Sequence, residues 1–156
     1  MKRIIILLLL TVSVFLKGFA QEDLTWHTDM DKAYEIATKE NKPLLLFFTG
    51  SDWCGWCIKL QNEVLKTADF KKWAKDNVVL VELDFPKRKV LDQKLQIQNA
   101  QMQRMFQVRG YPSIHFAKPE KAEDGKKSLS KLGSTGYVRG GATKWLEVAN
   151  NFVKNI

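Results

Sequence analysis

A run of five apolar residues at positions 44–48 constrains the fold of this chain more than any other sequence feature. The run has no alternation of apolar and polar residues, which is typical of a strand buried on both faces in the centre of a parallel sheet. A polar segment follows at 49–52, and apolar residues then recur at helical spacing over 57–65. The pattern predicts a buried strand, a loop and a helix whose first turn holds Cys54 and Cys57.

The two cysteines lie where the backbone favours a reactive thiol. The first turn of a helix has unpaired N–H groups and a partial positive charge of about half a unit, and both stabilise a thiolate. Cys54, at the exposed tip, is therefore predicted to be the nucleophile. Cys57 lies one turn further in, where it can attack a mixed disulfide on Cys54 and release the substrate.

The rest of the chain alternates between predicted helices and strands. We expect helices over 29–41, around 70–74, from 91 to 108 and around 145–152, a strand over 78–85, and a hairpin of 113–117 with 128–132 around Pro119 and Gly125. No internal repeat or second domain is evident. The order predicts an α/β fold, with a central mixed sheet flanked by helices, in which a β-α-β unit is followed by β-β-α.

Two motifs resemble those of the thioredoxin family. Residues 53–57 read Trp-Cys-Gly-Trp-Cys, which resembles the thioredoxin active-site motif, and residues 108–113 resemble the family's second signature, a Gly-x-Pro segment before the hairpin. The similarity spans residues 25–154. Within the family, the chain most resembles exported thioredoxin-like thiol:disulfide proteins of the bacterial cell envelope. The resemblance implies a thioredoxin-like fold with an added N-terminal helix and a longer helical segment before the proline loop.

The resemblance also implies roles for single residues. Cys54 and Cys57 would form the redox disulfide, and Pro112 would be cis and lie against it, which leaves the backbone of Tyr111 free to pair with an extended substrate. The alternative for Pro112 is an ordinary trans proline at the start of an edge strand. Substrate contacts are also expected from Trp53 and Trp56, although packing of Trp56 against the domain is an open alternative.

The sequence departs from the family pattern in two places. Trp56 stands where thioredoxins have proline and protein disulfide isomerases have histidine, so the motif does not predict the reduction potential. Thioredoxins bury an aspartate six residues before the first cysteine, and that position here is Phe48. Glu82, on the neighbouring predicted strand, is the candidate proton acceptor for Cys57. The alternative for Glu82 is a strand-end carboxylate in solvent or in a salt bridge.

Residues 1–20 have the pattern of a secretory signal peptide. A positive end (Met-Lys-Arg) is followed by an apolar run over 4–16 and a small-x-small cleavage site before Gln21. The apolar run falls short of the ~20 residues that a spanning helix needs, which disfavours the alternative of a membrane anchor. We expect the remaining domain, 21–156, to be exported to the periplasm or cell envelope, or secreted, with no membrane contact beyond the cleaved segment.

Composition excludes several classes of protein. The 45% hydrophobic and 11% aromatic content excludes disorder. Three basic residues and no acidic residue lie in 1–20, so the net charge of +8 falls to +5 over the remainder. The lysines there are scattered, and we expect no nucleic-acid partner. The basic run at 87–89 is interpreted as a solvated loop, with binding of an acidic partner or an anionic surface as the alternative.

The sequence predicts an exported thiol:disulfide oxidoreductase that exchanges disulfides with protein substrates and with an upstream redox partner. Because the cysteine pair carries the electrons, no cofactor is expected, and we expect a monomer. One alternative is a redox-inactive adaptor that docks through Trp56 and Tyr111. Another is copper transfer, but no bound metal is expected: Cys54 and Cys57 with one histidine, such as His115, fall short of the four ligands of a structural zinc site.

Overall fold

Five strands form one mixed sheet at the centre of the structure, a computed structural model that describes residues 24–154. The strands are β1 (Trp26–His27), β2 (Leu44–Thr49), β3 (Val79–Asp84), β4 (Ser113–Lys121) and β5 (Lys127–Thr135). The helices are α1 (Met30–Glu40), α2 (Gly55–Leu60), α3 (Ala68–Asn77), α4 (Gln93–Phe106) and α5 (Gly141–Val153), and a π-helical turn (Gln61–Leu65) extends α2.

The sheet order is β1-β3-β2-β4-β5. Strands β1, β3 and β2 are parallel, whereas β4 runs antiparallel to β2 and pairs with β5 in a hairpin. Every residue of β2 is buried, which confirms the predicted central strand. The expected α/β architecture of the thioredoxin-like fold, with β-α-β followed by β-β-α, is confirmed as well.

Alternate residues of β2 face two separate hydrophobic cores. Leu45 and Phe47 pack on the face covered by α2, together with Cys57, and the indole of Trp145 from α5 is fully buried there. On the opposite face, Phe48 packs with residues of α1 and α4. Both faces of the sheet are therefore covered, and the carboxyl end of β2 is fixed between two cores.

Helix boundaries follow local capping. Asp29, Thr67 and Asp92 accept backbone N–H bonds at the starts of α1, α3 and α4. Helix α5 starts after Gly140 and at Gly141, whose φ angles of 112° and 70° lie in the region that favours glycine. Capping shortens the predicted 91–108 helix to Gln93–Phe106, while the helix expected around 70–74 extends over Ala68–Asn77.

Two details differ from the sequence expectations. The hairpin strands are longer than predicted, and Pro119 lies inside β4 opposite Leu129 rather than in the turn. β4 pairs with β2 only as far as Ala117, so the missing N–H of Pro119 removes no bond to a second neighbour. Strand β1 was not predicted, because two residues are too few to produce a pattern.

The predicted signal segment, residues 1–20, lies outside the described residues, as does the start of the domain predicted at 21. Across residues 24–154, none of the helices combines the length and the apolar character needed to cross a bilayer.

Candidate active site

Cys54 and Cys57 form a disulfide at the N-terminus of α2, with their Cα atoms 5.2 Å apart. Cys54 is the N-cap residue, and its Sγ accepts a bond from the backbone N–H of Cys57 at 3.2 Å. Cys54 is 5% exposed and Cys57 is fully buried. An incoming sulfur can therefore approach only Cys54, and the helix N-terminus is placed to stabilise a thiolate on it.

The turn before the disulfide is anchored to β3. The carboxylate of Asp84, the last residue of β3, accepts bonds from the Ser51 backbone N–H at 2.8 Å and the Ser51 hydroxyl at 2.6 Å. The carbonyl of Gly50 accepts from the Cys54 N–H at 2.9 Å. A side chain at Gly50 would collide with the Trp53 ring, since a Cβ there would lie 2.4 Å from it. The end of β3 thereby fixes the position of the nucleophile.

Trp53 is held from three sides. Its Nε1 donates to the Phe85 carbonyl at 2.8 Å, its ring meets the Tyr111 ring edge-on at 5.8 Å, and the Lys87 ammonium lies 4.1 Å from its centroid. The side chain is 38% exposed. Trp53 therefore connects the active-site turn to the loop after β3 and to the proline segment.

Trp56 projects from the other side of the disulfide. It is 59% exposed, and its ring contacts that of Tyr137 at 5.2 Å. The Tyr137 hydroxyl donates to Glu63, which also forms an ion pair with Lys59 at 2.6 Å. Of the two sequence interpretations of Trp56, the structure favours the exposed one. Tyr137 was not identified from sequence, because nothing local relates it to α2.

The Tyr111–Pro112 peptide bond is cis, as the family resemblance implies. Tyr111 packs against the core that contains both cysteines, and its ring also contacts that of Phe85 at 5.3 Å. Its hydroxyl accepts a bond from Gln103 on α4 at 2.7 Å. The proline segment and Trp53 thus meet at one surface beside Cys54.

Glu82 lies on the cysteine side of the sheet, because its register partner is Phe47. It lines a cavity of about 420 Å³ with Trp26, Phe47 and residues of the π-helical turn. Burial, and secondarily the charge of Asp84, raise the pKa of Glu82. Glu82 is half-buried, and within residues 24–154 no cation lies within ion-pair distance of it. The charge of Lys89 acts on it from further away and partly opposes the rise in its pKa.

Phe48, six residues before Cys54, does not lie on the cysteine side of the sheet. Phe48 packs on the opposite face of the sheet, against Phe106, whereas Phe47 shares the core of Cys57. Side chains alternate along a strand, so a loop one residue longer reverses the face. The residue on the cysteine side is therefore Phe47, with Glu82 directly beside it.

Sequence reasoning also missed two carboxylates. Asp52 accepts bonds from three consecutive backbone N–H groups, and Asp84 holds Ser51. These N–H bonds lower the pKa of Asp52. The carboxyl ends of adjacent parallel strands meet at one edge of a sheet, and this rule would have placed Asp84 near the turn.

His115 lies away from the disulfide, on the opposite face of the sheet. Its ring packs between Phe48 and Phe106, a hydrogen bond of 3.0 Å joins it to Ser113, and burial lowers its pKa. In the described part of the chain, no three His, Cys, Asp or Glu side chains are grouped so that they could hold a metal ion.

Comparisons with known proteins agree with this geometry. The profile of the family described as thioredoxin-like domain matches residues 30–145, which contain the cysteine pair, Glu82 and the cis-proline segment. The disulfide bond reductase DsbH of Chlamydia pneumoniae is 33% identical over 122 residues, which are 78% of this chain and 73% of that protein. A solved structure of a DsbH oxidoreductase superposes with a TM-score of 0.74 at 30% identity and covers 90% of this chain and 91% of its own.

A second relative is the thioredoxin-related protein DsbJ of Chlamydia pneumoniae, 29% identical over 119 residues. These cover 76% of this chain but 33% of DsbJ, so the chain spans a third of that protein's length. Each of the two relatives is therefore similar to about three quarters of this chain.

Proposed function

Because this chain belongs to the family of thioredoxin-like domains, we propose that it is an exported thiol:disulfide oxidoreductase that reduces disulfides in protein substrates. The observation that carries the proposal is the Cys54–Cys57 disulfide at the start of α2, in which only Cys54 reaches the surface. The reducing direction is supported by the relative named as a disulfide bond reductase.

The reaction begins with the cysteine pair reduced. The Cys54 thiolate attacks one sulfur of the substrate disulfide, forms a mixed disulfide and releases the other sulfur as a thiolate. Cys57 then loses its proton and attacks Cys54 Sγ. The Cys54–Cys57 bond forms, the mixed disulfide breaks, and the substrate leaves with two thiols. The two electrons come from the cysteine pair, and an upstream dithiol protein restores them.

Glu82 is the proposed proton acceptor for Cys57. It lies on the cysteine side of the sheet, and its raised pKa lets it take up and return a proton closer to neutral pH. The cavity that it lines opens a route for proton exchange with water. The proton that Glu82 takes from Cys57 passes to one of the two substrate thiolates. Solvent supplies the proton for the second substrate thiolate.

Substrate binding is assigned to the surface around Cys54. Trp56 offers an exposed aromatic face for apolar substrate side chains. The backbone of Tyr111, next to cis-Pro112, would pair with an extended substrate segment. Trp53 contributes its exposed edge while it holds the turn.

Export would place the domain where substrate disulfides persist. The proposed signal, residues 1–20, is tested by fractionating cells that express the full chain and sequencing the N-terminus of the exported protein. Cleavage before Gln21 supports export, and an intact N-terminus on cytosolic protein contradicts it.

Reduction of insulin by dithiothreitol tests the activity. We expect the wild-type protein to accelerate precipitation of the insulin B chain, and Cys54→Ser and Cys57→Ser each to return the rate to the uncatalysed level. Equal rates for the wild type and Cys54→Ser would favour the redox-inactive adaptor. Tight binding of Cu(I) without catalysis would favour metal transfer.

A further inference from the structure

The loop between β3 and α4, residues 85–92 and here termed the basic loop, is fastened to the active-site turn. The Asp52 carboxylate accepts the backbone N–H groups of Lys87 at 2.9 Å, Arg88 at 2.7 Å and Lys89 at 3.1 Å. Because this carboxylate binds backbone N–H groups, the three cationic side chains stay available for other partners. All three residues are exposed.

No carboxylate of residues 24–154 lies within ion-pair distance of these three side chains. Of the carboxylates nearby, Asp84 binds Ser51 and Asp92 caps α4 through the N–H groups of Lys94 and Leu95. Glu82 interacts with the charge of Lys89 without forming an ion pair. Across the disulfide, Lys59 is paired with Glu63. Lys59 is therefore ion-paired, whereas the three cations of the basic loop, on the Trp53 side of the site, form no ion pair with residues 24–154.

The basic loop is in direct contact with the site. The Lys87 ammonium lies 4.1 Å from the Trp53 ring, and Trp53 precedes Cys54. A groove of about 520 Å³ runs between the loop and α4. Half of its lining residues are apolar, and they include Phe85, which contacts both Trp53 and Tyr111. Val90 at its rim is 91% exposed. A chain that leaves Cys54 on this side meets the groove first.

We propose that the basic loop and its groove bind an acidic segment of the protein substrate, adjacent in sequence to the disulfide that is reduced. This proposal rests on the function proposed above and specifies its substrate class. Aspartate or glutamate side chains would pair with Lys87, Arg88 and Lys89, and neighbouring apolar side chains would enter the groove. Opposite charges speed encounter more than they strengthen the final complex, so the preference depends on ionic strength.

Two disulfide-linked peptide substrates test the proposal. They share length and sequence, but one has three aspartates beside the cysteine and the other has three asparagines. For the wild type at low salt we expect kcat/KM to be about tenfold higher for the acidic peptide, and the ratio to approach one at high salt. The variant Arg88→Gln, Lys89→Gln, which keeps Lys87 on the Trp53 ring, should lose most of the preference while reducing 2-hydroxyethyl disulfide normally.

A matched control neutralises two lysines near the opposite end of the strands: Lys118→Gln, Lys121→Gln. Both lie in β4 beyond its pairing with β2. This variant loses the same charge and should keep the preference. Equal wild-type rates on both peptides, or a preference that survives in the basic-loop variant or disappears in the control, would overturn the proposal.

Binding separates this proposal from the proposed function. Fluorescence anisotropy with the acidic peptide, its cysteines replaced by serine, should show binding that the basic-loop variant lacks, even if the protein reduces no disulfide at all. If the wild type does not bind the peptide, the occupant is not an acidic polypeptide. The same conclusion follows if the wild type binds vesicles that contain phosphatidylserine but not the peptide.

Discussion

The two tryptophans on either side of the disulfide share one motif but have different surroundings. Trp53 donates a hydrogen bond to Phe85, packs edge-on against Tyr111 and lies under the Lys87 ammonium. Trp56 contacts the ring of Tyr137 and is the more exposed of the two. The sequence motif does not distinguish the two tryptophans, but their contacts do. Trp53 positions the active-site turn, and Trp56 presents an apolar surface.

The charges near the two tryptophans differ in the same way. On the Trp56 side, Lys59 and Tyr137 both bind Glu63, so the charge of Lys59 is compensated within the protein. On the Trp53 side, Asp52 binds backbone N–H groups and leaves the cations of the basic loop unpaired. One half of the site is therefore suited to apolar contact and the other to recognition of charge.

The largest effect on stability and activity is expected from removing the Trp53 side chain. Trp53→Ala removes the hydrogen bond to Phe85 and the contact with Tyr111, and because the ring is partly exposed we expect a loss of about 2 kcal/mol in the free energy of unfolding. Turnover of both insulin and 2-hydroxyethyl disulfide should fall. Chemical denaturation and both assays measure this. A fall confined to insulin would mean that Trp53 only contacts the substrate and does not position the turn.

Truncation on the other side should affect protein substrates alone. With Trp56→Ala we expect kcat/KM for insulin to drop about tenfold, or about 1.4 kcal/mol, because an exposed aromatic contact is lost. Stability should change by less than about 0.5 kcal/mol, since the ring is mostly in solvent. Reduction of 2-hydroxyethyl disulfide serves as the control. An equal drop for that small disulfide would contradict the division of tasks.

Glu82→Gln tests the proton acceptor beneath both halves of the site. The wild-type rate should fall as the pH drops through the raised pKa of Glu82, because the protonated carboxyl cannot accept the Cys57 proton. The variant should lack this inflection and react about fivefold more slowly at neutral pH, a small effect for an acid–base group. An unchanged pH profile of reduction would exclude the role.

The stability of the same variant has a defined sign. Folding raises the pKa of the Glu82 carboxyl, so its protonated form stabilises the folded protein. This contribution is complete below the pKa of the unfolded chain and is lost as the pH rises through the pKa of the folded protein. The wild type should therefore lose stability over this window, and Glu82→Gln should not. Urea denaturation at several pH values measures the difference.

The smallest effect is expected for Tyr137→Phe. The ring that supports Trp56 remains and only a solvent-exposed hydrogen bond to Glu63 is lost, so stability should hardly change and insulin reduction should be unchanged. Trp53→Phe is the matched variant at the other tryptophan. Loss of its Nε1 hydrogen bond should lower the free energy of unfolding by about 1 kcal/mol. Similar costs for the two variants would weaken the comparison.

Local patterns predicted the parts of the fold that local physics controls. The apolar run of β2 and the helical spacing after the cysteines are short-range signals, and both elements are present. The resemblance implied the cis bond before Pro112. The length of the hairpin was missed because Pro119 is tolerated only where β4 has lost its second neighbour, which is a tertiary circumstance.

The support of the site depends on contacts between distant segments, and these have no local signature. Asp52 reaches residues 87–89, and Trp53 reaches Phe85. Phe47 and Phe48 face opposite sides of the sheet. Which of them faces Cys57 depends on how the strand is oriented in the sheet, and an unbroken apolar run does not show this.

Trapping of a mixed disulfide tests the central claim most directly. With Cys57→Ser, an oxidised protein substrate should become covalently attached, and mass spectrometry should locate the bond at Cys54. With Cys54→Ser, the remaining Cys57 is fully buried, and we expect no adduct. Equal adduct formation by both variants, or none by either, would contradict an exchange reaction in which Cys54 attacks and Cys57 resolves.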